Sequence, residues 1–217
     1  MTRSQDEICP RGRPALGRGG LCVVVLVAAA VAGAQVNPGD APLLEQAAAQ
    51  GWVRRVIRPT YRDYHGIRER WAVSDLVVLG RVVDQAAQLS PDGRGVWTEY
   101  SIEVLTVFRQ AGGAPASGRT VRARVEGGRL VTSGRTISVV NAFFPPLLWV
   151  REHIFFLSRT SEDPETYSFL GGGQGVFRRD EDDKVRCHLP EPEWGFICRK
   201  RDGGPWVKLV KDMRKRY

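Results

Sequence analysis

The chain has 217 residues, with 32 Lys and Arg against 24 Asp and Glu, four cysteines and three histidines. The net charge of +8 is local: residues 35–198 carry 20 basic and 20 acidic side chains, whereas the last 19 residues carry eight basic and two acidic ones. A neutral body with a basic tail argues against a broad phosphate-binding face, and neither HExxH nor G-x-S-x-G occurs in the chain, which removes two common hydrolase signatures.

Residues 21–34, LCVVVLVAAAVAGA, form a 14-residue apolar run preceded by Arg3, Arg11, Arg13 and Arg18 and closed by Ala32-Gly33-Ala34. A basic start, a short apolar middle and a small-x-small end mark a secretory signal peptide. Cleavage is expected between Ala34 and Gln35, placing the mature protein in the periplasm or outside the cell. A membrane span needs about 20 apolar residues, more than this run supplies, which counts against the alternative of an uncleaved anchor. Cys9 and Cys22 leave with residues 1–34. Cys187 and Cys198 remain as a candidate disulfide in a compartment that permits one. A bridge there closes a short loop and contributes about 3 kcal/mol on the chain-entropy estimate. Zinc on Cys187, His188 and Cys198 is the other option, but the spacing matches no paired-cysteine pattern.

Residues 35–74 are expected to form a helical N-terminal extension. Asn37-Pro38-Gly39 is a turn, and LLEQAAAQ reads as a short helix stopped by Gly51. Tyr64, Ile67, Arg68 and Trp71 have helical spacing.

The period changes at Asp75, and residues 75–199 are expected to form the main domain. SDLVVLGRVVD is a β-branched run whose Gly80 signals a bulge or bend. Pro91-Asp92-Gly93 turns the chain. In the Val96–Phe108 segment, Tyr100, Ile102, Val104 and Phe108 are expected on one face, and Glu99, Ser101 and Glu103 on the other. After the break at Ala111-Gly112-Gly113 and Pro115, residues 120–126 alternate again, with Val121, Ala123 and Val125 inward and Arg122 and Arg124 outward. Further strands are expected at 136–140, 151–158, 167–179, 185–187 and 195–198. Short strands separated by glycine turns point to an all-β, antiparallel barrel or sandwich. Residues 200–217 form the last element. Trp206, Val207, Val210, Met213 and Tyr217 recur at helical steps among lysines and arginines, giving a basic amphipathic helix. Such a helix either packs on the barrel or lies on an anionic membrane surface.

The order SDLVVLGRVVD, the 98–108 strand, HIFFLSR and GGGQGVFRR resembles a group of uncharacterised exported bacterial β-barrel proteins of OB-like type. The resemblance covers about Asp75 to Arg179 and implies an antiparallel OB-like barrel with a glycine bend in its first strand. DLVVLGRV is also similar to the first strand of netrin-like domains, found in tissue inhibitors of metalloproteinases. In those inhibitors an N-terminal cysteine chelates the protease zinc; no cysteine stands near Gln35 here, so that chemistry does not carry over.

Few residues point to chemistry. Gly171-Gly172-Gly173-Gln174-Gly175 lacks the Lys-Ser/Thr of a phosphate loop, and Asp180-Glu181-Asp182-Asp183 lacks the spaced ligands of a calcium loop. No cofactor, metal or catalytic residue is expected. Of the three histidines, His153 reads as a core-edge residue and His65 as a surface or packing residue. Trp97 lies opposite the apolar series of its strand, and with Arg122 and Arg124 it outlines a candidate aromatic-and-basic binding face. The leading expectation is an exported, non-enzymatic module that binds a protein, a glycan or an envelope component. The alternative is an extracytoplasmic protease inhibitor of netrin-like type, with 143–148 as its wedge loop. A small hydrolase built on His153 or His188 is third.

Overall fold

The structure is a computed structural model that describes residues 41–62, 64, 66–112, 118–161, 163–189 and 200–215, all within one compact unit, Val36–Tyr217. The apolar leader run, the Ala34–Gln35 junction, the turn at Asn37, His65, Pro115, Trp194, the strand expected at 195–198 with Cys198, and Tyr217 lie outside the described residues.

The chain is mostly β, in two sheets, with a C-terminal helix. Helix α1 (Leu43–Gln50) buries Leu43 and Ala47 and ends at Gly51, which is left-handed at φ 78° and donates its N–H to Ala47 O; glycine adopts that conformation without a Cβ clash. Strand β1 (Trp52–Ile57) follows immediately. A strand inside the expected helical extension is a correction to the sequence reading: WVRRVI lacks strict alternation, but its valines and isoleucine suit a pleated surface. Helix α2 (Ile67–Val73) buries Ile67, Arg70 and Trp71.

The remaining strands are β2 (Leu76–Leu89), β3 (Val96–Gln110), β4 (Thr120–Glu126), β5 (Gly128–Thr132), β6 (Arg135–Asn141), β7 (Glu152–Arg159), β8 (Thr166–Phe169), β9 (Val176–Arg179) and β10 (Val185–Cys187), followed by helix α3 (Trp206–Lys215). The small sheet has the order β1-β6-β5, and the large one β10-β9-β7-β2-β3-β4-β8, with β7 also paired to β8. Two pairings are parallel, β1 with β6 and β4 with β8, within the mainly antiparallel arrangement the sequence reading expected. Those partners are distant in sequence, and period-two alternation reports burial but not strand direction.

Three apolar clusters hold these layers. One contains Val78, Ile102, Val104, Phe155, Val121 and Phe169, with Phe144 and Leu147 brought in from the 142–150 loop. A second packs the opposite face of β2 and β7, through Val77 and Phe156, against Trp71 of α2 and Trp206, Leu209 and Met213 of α3. A third lies between α1, the small sheet and Val96. The apolar face of α3 is therefore spent on the core. Leu209 belongs to it, while Val207, grouped with that face in the sequence, is 73% exposed. Among the described residues, no helix is long and apolar enough to cross a membrane.

Phe108 also departs from expectation. Gly80 pairs with Val104 and Leu79 with Thr106, so Leu105 is the extra residue of a bulge. Beyond it the faces exchange: Val107 packs with the cluster of Val104, while Leu105 and Phe108 pack on the opposite one. One unpaired residue exchanges the faces of the side chains that follow it, here up to a second register shift that leaves Phe108 unpaired between Val107 and Arg109.

The glycine-rich 171–175 segment forms a 3-10 turn at Gly172–Gly175. Arg70, fully buried, reaches this turn from α2: Nη1 donates to Gln174 O, and Nη2 to Gln174 Oε1 at 2.9 Å. Its guanidinium also lies 6.0 Å from the Tyr64 ring centroid. The turn is a packing element that anchors α2.

Candidate functional site

Alternation on β3 and β4 sends Val121, Ala123, Val125, Tyr100 and Ile102 into the core and leaves Trp97, Glu99, Ser101, Arg122, Arg124 and Glu126 on the opposite side, half-buried. Register sets the rows: Trp97 faces Glu126, Glu99 faces Arg124, and Ser101 faces Arg122. Trp97 and Arg124 are diagonal neighbours, within reach of long side chains, and the Arg124 guanidinium lies 5.3 Å from the Trp97 ring centroid. Such a cation–π contact is worth about 0.5–1 kcal/mol near a surface. On β8, Ser168 continues the row of Arg124, and its hydroxyl lies 3.0 Å from that of Ser158.

Arg122 has a different environment. Its guanidinium lies 3.8 Å from Glu99, 3.4 Å from Asp163 and 3.6 Å from Glu165. Asp163 sits in the β7–β8 connection, where its carboxylate accepts from the Thr166 hydroxyl and the Glu165 N–H. Those hydrogen bonds, with Arg122 and Arg124 nearby, hold the Asp163 carboxyl below its usual range. The structure thus joins Trp97 and Arg124 as the sequence suggested, but it gives Arg122 to carboxylates. Glu99, Glu126, Asp163 and Glu165 outnumber the two arginines. Asp163 and Glu165 were not singled out in the sequence; their only signal was the acidic stretch SEDPE.

The histidines are interior. His153, on β7, is fully buried, stacks on Phe155 at 5.2 Å and has Nδ1 2.9 Å from Arg151 O. Its pKa falls to about 3, first through burial and then through His188. His188 has Nε2 on Pro145 O, sets its ring across Phe144 at 4.9 Å, and falls to about 4 for the same first reason, burial. A general base needs a pKa near the working pH and reach to a substrate proton. Both rings are neutral, sealed and engaged by backbone carbonyls, so neither suits the hydrolase reading. Among the described residues, no group of three His, Cys, Asp or Glu side chains is placed to hold a metal. The carboxylate of Asp180 binds its own turn, accepting from Asp182 N–H, Lys184 N–H and Arg186 Nε.

The 143–148 segment is not an open wedge. Phe144 and Leu147 are buried, with Phe144 against Tyr100 and Phe169; within the segment only Pro146 and Leu148 are exposed. Cys187 is buried, and its N–H donates to Asp202.

No family model matches the chain, and no curated protein matches it.

Proposed function

We propose that this chain is an exported, non-enzymatic binding module whose ligand face is the Trp97–Arg124 side of β3 and β4. The fold we infer for it is an OB-like barrel. The pairing sequence β2–β3–β4–β8–β7 returns to β2, and its one parallel pair joins β4 to β8; both features support that reading. In OB-type barrels the second and third strands carry the face that binds oligonucleotides or oligosaccharides, and β3 and β4 hold those places here.

The single observation that carries the proposal is the half-exposed indole of Trp97 beside a guanidinium and a set of carboxylates. An indole offers an apolar face to the C–H side of a sugar ring, and carboxylates and guanidinium groups hydrogen-bond hydroxyls. The acidic surroundings repel polyanions, so nucleic acid and anionic polysaccharides are poor ligands. A neutral, hydroxyl-rich glycan of the cell envelope fits this chemistry best. An array of neutral and anionic oligosaccharides tests it: binding is expected among the neutral members, and Trp97→Ala, checked for its fold by circular dichroism, is expected to weaken it up to about tenfold, the value of a lost aromatic contact. Equal binding by wild type and variant, or a preference for anionic members, would overturn the proposal.

Export and the disulfide form the second part of the proposal, supported by the leader run and by two cysteines left in the mature chain. The intact mass of protein recovered after secretion reads both together. The expected mass is that of residues 35–217 less two hydrogens; a mass that includes residues 1–34, or two alkylatable thiols, contradicts the corresponding part.

A further inference from the structure

Bordering the Trp97 face at Glu126 lies a cavity of about 570 Å³, lined by β2, β3, the end of β4, the β4–β5 turn, β5, β6 and the 142–146 loop. Its size falls in the range of small-molecule sites, about 300–1,000 Å³. Tyr100, Val125, Val139 and Phe144 make its lining mostly apolar. Three of its polar side chains are engaged within the protein. Thr98 Oγ1 donates to Gly127 O at 2.6 Å, Asn141 Nδ2 donates to Tyr61 Oη and Glu126 O, and the Tyr100 hydroxyl is hydrogen-bonded to the Leu147 backbone. Gln85, Glu126, Arg129 and Ser138 also line the cavity, so hydrogen-bonding capacity is concentrated at these four, and a ligand body placed among the remaining residues finds apolar contact.

Its edge is different in kind. Arg129, Ser138 and Val140 line the cavity and also belong to the outward face of the small sheet. On that face Arg54, Ser138 and Arg129 form one row across the three strands. Two flanking rows expose Trp52 (59%) with Val131 (63%), and Val56 (53%) with Val140 (37%). Strands β1, β5 and β6 contain four arginines and no acidic residue, so this surface is cationic, unlike the acidic β3–β4 face.

We propose that the cavity takes the tail of a single-chain anionic amphiphile, whose head group is held by Arg129, with Arg54 two strands away in the same row. The apolar lining accepts the alkyl chain, and the cationic row at the edge meets the carboxylate or phosphate. A free fatty acid and a lysophospholipid share this chemistry. The cavity shares Glu126 with the Trp97 face, but neither Trp97 nor Arg124 lines it, so either proposal can fail without the other.

Isothermal titration of the protein with dodecanoate, lauroyl lysophosphatidylglycerol and dodecyl maltoside, each below its micellar concentration, tests this. Saturable one-to-one binding of at least one anionic ligand is expected, at least about tenfold tighter than dodecyl maltoside and weakened by salt. The two anionic arms separate a free fatty acid from a lysophospholipid as the preferred source. Arg129→Gln is expected to weaken the anionic ligand several-fold and to flatten its salt dependence. Ala87→Phe, which fills the cavity from its wall, is expected to abolish binding. If that variant does not fold, Val140→Asp decides the point, because an exposed position at the edge tolerates a carboxylate that then repels the head group. Absence of saturable binding by both anionic ligands, equal affinity for dodecyl maltoside, or unchanged affinity in Arg129→Gln or Val140→Asp overturns the proposal.

Discussion

Lowering the pH from 7.5 to 5 is expected to remove about 4 kcal/mol of folding stability, with His153 and His188 each contributing about 2 kcal/mol. Both rings have folded pKa values, about 3 and about 4, below the ordinary value of 6.5 for histidine. Above pH 6.5 both are neutral in the folded and the unfolded chain, so there is no penalty. As the pH falls through 6.5, the unfolded chain takes up protons that the folded one refuses, and stability is lost until the folded pKa values are reached. The cause is geometric. His153 lies against Phe155, with His188 and Arg178 as further unfavourable charges. His188 is packed on Phe144 and near Arg178, and bound to the Pro145 carbonyl. A loss of about 4 kcal/mol is a large share of the 5–15 kcal/mol typical of a domain. Asp92, Asp163 and Asp180 also have lowered pKa values, but their contribution disappears only below the ordinary carboxylate range, outside the pH 5–6.5 window. Urea unfolding at pH 7.5, 6.5, 5.5 and 5 measures the loss. His153→Leu and His188→Leu should each be less stable at pH 7.5, having lost a backbone hydrogen bond, and should each show about half the wild-type decline between pH 7.5 and 5. A decline of wild-type size in both variants would rule out this assignment.

How far the sequence carried depends on whether a feature is local. Tyr100, Ile102 and Val104 announced their buried face because alternation along a strand is set by the pleat, and the same parity put Trp97 and Arg124 outward together. Gly51 and Gly80 were legible because glycine at a helix end or within a β-branched run has few other uses. Phe108 was misplaced because a bulge is decided by what the neighbouring strand presents: Gly80 and Leu79 pair with Val104 and Thr106 and leave Leu105 between them without a partner. The carboxylates around Arg122 were hidden for a similar reason: Asp163 is 41 residues away and arrives only because β8 lies parallel to β4. The cavity was hidden too, since its lining joins β2, β4, β6 and a proline-containing loop that no sequence window contains. His153 was read as a core-edge packing residue, whereas the burial of His188 against Phe144 and Pro145 is a product of the loop's return to the core.

Gly80→Ala should destabilise the protein by at least about 3 kcal/mol, at or beyond the upper end of ordinary overpacking. Gly80 sits where β2 is paired on both sides, to Val104 of β3 and His153 of β7, so the strand has no free edge toward which to move. A Cβ there would lie 2.6 Å from Glu103 O and 2.7 Å from Ile102 Cγ2. The first obstacle is a backbone carbonyl fixed in the β2–β3 ladder, and the second is a methyl of a fully buried core side chain. Neither can swing away as the end of a flexible surface side chain would. Backbone conformation is not the obstacle, since the φ of Gly80 lies outside the left-handed range; the smaller unfolded-state entropy of alanine would favour the variant by about 0.4–1 kcal/mol, well short of the clash. Relief requires either widening the β2–β3 pair or shifting the Leu105 bulge by a residue, and a shifted bulge would turn Val104 away from Phe155. Urea unfolding at pH 7.5 should therefore show a lowered midpoint with an unchanged denaturant slope. Ala87→Gly, on the same strand at a half-exposed position, supplies the comparison, with an expected loss of about 1 kcal/mol or less. If Gly80→Ala lost no more than that comparison, the close approach of β3 to Gly80 would not be what holds the bulge in register.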